Sequence, residues 1–342
     1  MKKLRFAVFG TGFWSRFQLS AWRELEGAEC VALYDRTRAK AEKFGRDFEV
    51  TPVFDDPEEL LQAVEVDFVD IVTHVSTHAP FTLLAARYGR DVICQKPLST
   101  TLANAEHMLT ECTKAGVKLL VHENWRWQST ARALKEELAR GTIGDVFRAS
   151  IDFATGFDVF ANQPALGEVE QLILSDLGSH LFDVARFLFG EAQDITCWTQ
   201  RVHEHIRGED CATAVIRMGP QSIPVLVRMA YAGNPLEREC FPETLYFIEG
   251  SRGTIEVSPD CVLRVTTAAG THSRKIPPFL YPWCDPHYAL AHSSIVPCNA
   301  NLLADLRGEH PAETSGADNL HTVRLVFAAY ESARQRQTVS LV

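Results

Sequence analysis

Long apolar runs, basic tracts and closely paired cysteines are all missing from this 342-residue chain. No apolar stretch reaches the roughly 18 residues that span a bilayer, which argues against a membrane helix. Acidic residues outnumber basic ones, 44 against 34, for a formal net charge of -10. Nucleic-acid partners select for a basic face, so that class is disfavoured as well. Nine cysteines, from Cys30 to Cys298, include no Cys-x-x-Cys pair. The odd count and wide spread fit reduced thiols in the cytoplasm better than a disulfide framework. The basic start, Met1-Lys2-Lys3, leads only into a strand-length apolar run and a glycine turn, which is not a signal peptide. Internal repeats and low-complexity tracts are also lacking.

What is present is an ordinary globular composition, 46% hydrophobic and 23% charged, at a length that suggests two domains. The first third alternates short apolar runs with helical patterns. Strands are expected at Leu4–Phe9, Glu29–Tyr34, near Val53, Phe68–Thr73, Asp91–Cys94 and Lys118–His122. Helices are expected at Phe13–Leu25, Thr37–Phe48, Pro57–Ala63, Pro80–Tyr88 and Thr101–Ala115. Six strands with crossover helices make a Rossmann-type, doubly wound parallel sheet over residues 1–123. From Asn124 the texture changes to longer alternating segments: Phe147–Phe153, Asp194–His205, Cys211–Met218, Ser222–Tyr231, Thr244–Glu249, Gly253–Val257 and Val262–Thr267. These predict an α+β domain over residues 124–342 with a large, mostly antiparallel open sheet. One major helix, Leu174–Leu188, interrupts them, and a last helix over 317–335 is expected to pack back towards the first domain.

Three local patterns carry chemistry. Gly10-Thr11-Gly12-Phe13-Trp14-Ser15 follows a strand and opens a helix, and Asp35 ends the next strand. This is the dinucleotide-binding pattern, with glycines for the turn and the pyrophosphate, and a carboxylate for the adenosine ribose. Asp35 favours NAD over NADP, while Arg36 beside it would stack on adenine or bind a 2′-phosphate. Next, Gln95-Lys96-Pro97 puts Lys96 at the carboxyl end of a parallel strand, where such folds bind ligands. Finally, Asp176, His180 and Asp183 fall at i, i+4 and i+7 of a helix, beside an apolar stripe of Leu177, Leu181, Val184 and Leu188. The pair His203 and His205 would share one strand face, but it lacks the further ligands of a metal site, and no metal is expected.

Together these residues resemble the glucose–fructose oxidoreductase / inositol dehydrogenase (Gfo/Idh/MocA) family over nearly the whole chain. The family's Glu-Lys-Pro, Asn-x-Arg and Asp-x-Gly-x-His correspond to Gln95-Lys96-Pro97, Asn124-Trp125-Arg126 and Asp176-Leu177-Gly178-Ser179-His180. Gly250-Ser251-Arg252-Gly253 is similar to its Gly-x-x-Gly turn. The sequence departs at Gln95, where a carboxylate that would raise the Lys96 pKa is replaced by an amide. It departs again at Thr73-His74-Val75, in place of Thr-Pro-Asn.

The resemblance implies an NAD-dependent dehydrogenase that removes a hydride from a carbinol or hemiacetal carbon of a sugar. It makes Lys96, Asp176 and His180 catalytic: His180 as general base, Lys96 on the reacting oxygen, Asp176 orienting. It puts Gly10, Gly12, Phe13, Trp14, Asp35, Arg36, Thr73, His74, His78, Gln95 and Lys96 on the cofactor. Asn124, Arg126 and Phe157 join Lys96, Asp176 and His180 on the substrate. Arg126 is open between a ligand contact and a stacked structural arginine, and Asp183 has a supporting part. Phe157, Phe160 and Asn162 either cover the substrate or form an exposed loop; Trp283 and His287 are placed at the same cleft. Gly12-Phe13-Trp14-Ser15 and Asn124-Trp125-Arg126-Trp127 resemble the branch acting on the branched pentose apiose, which would give a lactone. An inositol or glucose-type dehydrogenase, a non-catalytic NAD-binding regulator, and an NADPH-dependent reductase of a non-sugar carbonyl or imine are the competing readings. A broad second-domain sheet implies a homodimer or homotetramer.

Overall fold

The computed structural model describes residues 3–231 and 243–342. One unit holds Met1–Glu123 with Ile295–Val323, and a second holds Asn124–Ser294 with Arg324–Val342. Segment 295–323, expected in the second domain, is thus built into the first. Its attachment is visible: Thr314 Oγ1 donates to the Val121 carbonyl at 2.7 Å, and the Val121 N–H returns a bond to the Thr314 carbonyl at 2.8 Å.

The first unit runs β1 (Leu4–Phe9), α1 (Phe13–Arg23), β2 (Ala28–Tyr34), α2 (Arg38–Phe48), β3 (Val53–Phe54) and α3 (Pro57–Ala63). It continues with β4 (Phe68–Ile71), α4 (His78–Arg87), β5 (Asp91–Gln95), α5 (Leu102–Ala115) and β6 (Leu119–His122). The strands are all parallel in the order β3-β2-β1-β4-β5-β6. The order reverses between β1 and β4, and ligands of such sheets bind beyond the carboxyl ends at that reversal. Buried strands read as continuous apolar runs because both sheet faces are covered; Phe68, Val69 and Ile71 are fully buried. Local signals agree. For example, Asp56 caps α3 by accepting the Glu58 and Glu59 N–H groups, ahead of Pro57 at the first helical position.

The second unit contains α6 (Ser129–Ala139), β7 (Val146–Ala154), α7 (Val159–Asn162), α8 (Ser179–Phe189), β8 (Ala192–Gln200) and β9 (Cys211–Met218). Next come β10 (Ile223–Ala230), β11 (Leu245–Gly250), β12 (Gly253–Ser258), β13 (Val262–Thr267), β14 (Gly270–Lys275) and α9 (Ala289–Ser293). Helix α10 (Ile295–Leu306) returns to the first unit, α11 (Gly316–Gln335) contributes to both, and β15 (Val339–Ser340) ends the chain. Nine strands form one sheet, β14-β13-β12-β11-β7-β10-β9-β8-β15, antiparallel except for the parallel β7–β10 pair. Strands β14 and β15 were not expected: β14 is exposed throughout and has no apolar alternation, and β15 has only two residues.

One face of this sheet is the core. Ile151, Ala214, Ile216, Val225, Val227 and Ile248 are fully buried, with Leu177, Leu181 and Val184 in the same cluster. The apolar stripe read beside Asp176 and His180 therefore does anchor that helix. The expected strand through His205 stops at Gln200 instead, and His203 and His205 lie in the following turn. Among the described residues no group of three or more potential metal ligands occurs, and no helix is long and apolar enough to cross a membrane.

Candidate active site

The nucleotide side is assembled where β1 and β2 end. Gly10 has φ of +99°, and a Cβ there would lie 2.5 Å from the Val72 carbonyl oxygen, so only glycine fits. At Gly12 a Cβ would meet nothing within 4 Å, and no side chain caps the first turn of α1. Open space facing uncapped helical N–H groups suits a pyrophosphate. Asp35 accepts the Thr11 N–H at 3.0 Å, the Thr11 hydroxyl at 2.8 Å and the Thr37 N–H at 2.9 Å. These bonds lock the carboxylate beside the glycine loop and leave lone pairs for ribose hydroxyls. Arg36 is exposed beside it. Phe13 and Trp14 open α1, and each packs on Phe17. The residues present fit a dinucleotide with a free 2′-hydroxyl.

The Lys96 turn is held from beneath. His78 is buried, with Nδ1 at 3.0 Å from the Pro97 carbonyl and Nε2 at 3.1 Å from the Thr73 carbonyl. Two carbonyl acceptors favour the imidazolium, but burial is the larger effect and pushes the His78 pKa down to about 4. As a neutral ring His78 carries one N–H and donates to only one of these two carbonyls at a time, lying buried between the Thr73 loop and the lysine turn. Thr73 Oγ1 accepts from Thr77, and exposed His74 caps the short turn after β4 through Ser76. Gln95 is turned inward as well. Its amide protons go to Gln18 Oε1 and His122 Nδ1, and its oxygen accepts the Lys96 N–H. Both amide protons of Gln95 are thus spent inside the fold.

The second unit brings the Asp-x-Gly-x-His residues together with groups that sequence reasoning passed over. Residues Leu174–Gly178 form a π turn, and α8 follows. At the start of the π turn the Ser175 N–H, a first-turn group with no intrahelical partner, donates to the Tyr330 hydroxyl at 3.1 Å, and Tyr330 donates to Glu209 Oε1 at 2.8 Å. The uniform i, i+4 spacing assumed for Asp176 and His180 is corrected accordingly. Asp176 Oδ2 accepts the Tyr231 hydroxyl at 2.9 Å. Burial, reinforced by the adjacent carboxylate, keeps that phenol well above its usual pKa and hence protonated. The His180 ring lies on Trp125 with centroids 4.4 Å apart and planes within 6°, so χ rotation of the imidazole is restricted. A Cβ at Gly178 would make only ordinary 3.5 Å contacts with Leu174, Met229 and Phe182.

Asp183 does not face this site. It is fully buried and bidentate to Arg126, Nε to Oδ2 at 2.8 Å and Nη2 to Oδ1 at 2.6 Å, with Arg186 at 3.7 Å. That pair commits two of the five Arg126 N–H groups to a structural role. Asn124 likewise spends both amide protons, on the Ala291 carbonyl and the Ser294 hydroxyl. Phe157 packs edge-on against Tyr288, and Asn162 Nδ2 reaches the Tyr288 hydroxyl at 3.3 Å. Phe160 adjoins Tyr231, His203 and His205, and Asp210 orients His203 through Nδ1 at 2.6 Å. His287 lies 6.1 Å from Phe157, and Trp283 lies 6.4 Å from His292. Tyr231 and Tyr288 are the residues that were missed. Their only signal was position, at a strand's carboxyl end and in a proline-rich segment.

Comparison with known proteins decides the lineage. Residues 4–123 match the oxidoreductase family with an NAD-binding Rossmann fold, and residues 131–256 match the GFO/IDH/MocA C-terminal domain. The chain belongs to the Gfo/Idh/MocA family. Within it, the chain is 39% identical to a D-apiose dehydrogenase of Paraburkholderia graminis, covering 100% of this chain and 90% of that protein. It is 38% identical to one of Rhizobium rhizogenes, covering 100% and 98%. A crystal structure of an oxidoreductase from Agrobacterium radiobacter, in complex with NAD+, L-tartaric acid and magnesium, superposes with a TM-score of 0.96 at 37% identity, covering 99% and 98%. As a Gfo/Idh/MocA member the chain is an NAD-dependent oxidoreductase acting on CH–OH groups.

Proposed function

We propose that this chain is a sugar dehydrogenase that oxidises D-apiose at its hemiacetal carbon to a lactone. Full-length similarity to two D-apiose dehydrogenases supports the substrate. The observation that carries the chemistry is His180 stacked face to face on Trp125, on the helix that also presents Asp176 to Tyr231. Bound NAD+ supplies the hydride acceptor. His180 takes the hydroxyl proton as the C–H bond breaks and C=O forms, a role suited to an imidazole. Lys96 hydrogen-bonds the reacting oxygen and stabilises the negative charge that develops there. Asp176, held by Tyr231, orients the sugar. Phe157, Tyr288 and Asn162 supply one wall, and Phe160 with His203 another.

The outward face of the second sheet supports self-association. Trp198, Val215 and Phe247 are 55%, 38% and 41% exposed there, and a face of this kind is commonly covered by a second copy. All eight described cysteines are free thiols, in keeping with a reducing, cytoplasmic setting.

The test is NAD+ reduction over a panel of aldoses, polyols and inositols, with product analysis for lactone. Apiose should be turned over best. Single-turnover NADH formation by Lys96→Ala and His180→Ala should each fall at least about 100-fold. Unchanged rates in both variants would remove these residues from the chemistry.

A further inference from the structure

Beneath the Lys96 turn a chain of buried polar groups runs through the first unit, and every link has a defined donor and acceptor. At one end the backbone N–H of Lys96 donates to Gln95 Oε1 at 3.0 Å. That bond turns the Gln95 amide nitrogen the other way, towards Gln18 Oε1 at 2.6 Å and His122 Nδ1 at 3.0 Å. Gln18 then presents its own nitrogen to Asp70 Oδ1 at 2.6 Å. Asp70 Oδ2 accepts the Trp22 indole N–H at 2.8 Å. Gln18, Asp70, Gln95 and His122 are all buried. A backbone N–H and an indole N–H can only donate, and a carboxylate accepts, so both ends dictate the same polarity for the two amides between them.

We infer that buried Asp70 selects glutamine at position 95, and that Gln95 acts as a positioning residue which sets the Lys96 backbone and the His122 tautomer. Glutamate at position 95 would still accept the Lys96 N–H, but its second oxygen would face the Gln18 oxygen at 2.6 Å. Gln18 would then have to turn over and set its oxygen against the Asp70 carboxylate. With Asp70 ionised, no arrangement of those three side chains avoids one buried acceptor–acceptor contact, which costs the full desolvation of an unmet group. Because Gln95 donates to Nδ1, the His122 proton resides on Nε2. Burial raises the Asp70 pKa to about 7 against the opposing pull of its two donors, so at pH 8 the group is chiefly the ionised acceptor. The link from this polarity to turnover rests on the role proposed for Lys96; the polarity itself does not.

Reversing the whole chain is the test. In Asp70→Asn/Gln95→Glu, the new amide oxygen accepts from Trp22 and its nitrogen donates to Gln18. Gln18 then turns over to donate to the carboxylate at position 95, and His122 donates from Nδ1. Each single variant has a mismatch that the double variant lacks. At pH 8, both single variants should lose thermal stability, and the double variant should melt about 3–6 °C above the additive expectation. If a single variant does not fold, recovery of soluble, NAD+-binding protein in the double variant is the same readout. In 15N spectra, assigned with His122→Gln, the His122 Nδ1 signal should move from the unprotonated to the protonated range in the double variant. Gln95→Glu should lower kcat about 10-fold with the sugar KM little changed, and the double variant should return to within about threefold of the parent. Additive stability losses, or an unmoved Nδ1 signal, would overturn the inference. A Lys96→Ala enzyme with normal turnover would instead sink the role of Lys96 while leaving the stability coupling intact.

Discussion

Replacing Asp183 with alanine should unfold the second unit more readily without touching the chemistry of a folded molecule. Asp183 is 0% exposed, and Arg126 and Arg186 are each 5% exposed. The substitution deletes two charge-assisted bonds to Arg126, at 2.8 and 2.6 Å, and the 3.7 Å approach of Arg186. Arg186 keeps its bidentate pair with Glu191, so the uncompensated charge is chiefly that of Arg126. Removing one partner of a buried pair costs about 3–5 kcal/mol. In a unit of this size each kcal/mol moves Tm by about 2–4 °C, so a fall of about 6–20 °C is expected. Asp183→Asn, which keeps an acceptor, should fall less. Differential scanning calorimetry reads the first quantity. Steady-state kcat at 20 °C, well below the transition, reads the second and should stay within about threefold of the parent. A Tm within 2 °C of the parent together with a 100-fold loss of kcat would refute the reasoning and make Asp183 part of the reaction.

The two loop glycines should separate fold from ligand. Gly10→Ala forces a left-handed φ and a 2.5 Å contact with a backbone oxygen, so it should cost about 2–4 kcal/mol of stability. Gly12→Ala meets no protein atom, so Tm should hold within about 1 °C while NAD+ affinity, read by titration calorimetry, drops at least about 10-fold as the methyl group enters the pyrophosphate space. Acid sensitivity should trace to buried histidines. Burial lowers His292, whose Nδ1 accepts the Asp285 N–H at 3.1 Å, from 6.5 to about 4. The unfolded chain therefore binds a proton that the fold refuses between those values. Stability is complete above pH 6.5 and is lost as pH falls towards 4, by about 3 kcal/mol for this group. His292→Asn, keeping an acceptor, should flatten the Tm-against-pH slope over that window; an unchanged slope would count against it.

Much of this molecule was legible in its sequence because the determining interactions are local. Periodicity marked most strands and helices near their observed ends, since alternation and 3.6-residue spacing are imposed by the face that each element buries. Gly10, Gly12 and Asp35 were readable because one turn places all three. The His203–His205 turn was misread as strand, since alternation alone does not show where pairing stops.

By itself the sequence determined the parallel sheet, the glycine loop, the lysine turn and the family. The tertiary structure decided which polar residues are spent inside. It commits both Asn124 amide protons to Ala291 and Ser294, and two Arg126 N–H groups to Asp183. The turn at Leu174–Gly178 is a π turn, and the Ser175 N–H in it bonds to Tyr330, 155 residues away in the chain. Hydrogen bonds between distant segments leave no periodic trace, so only the folded chain shows which donors they consume.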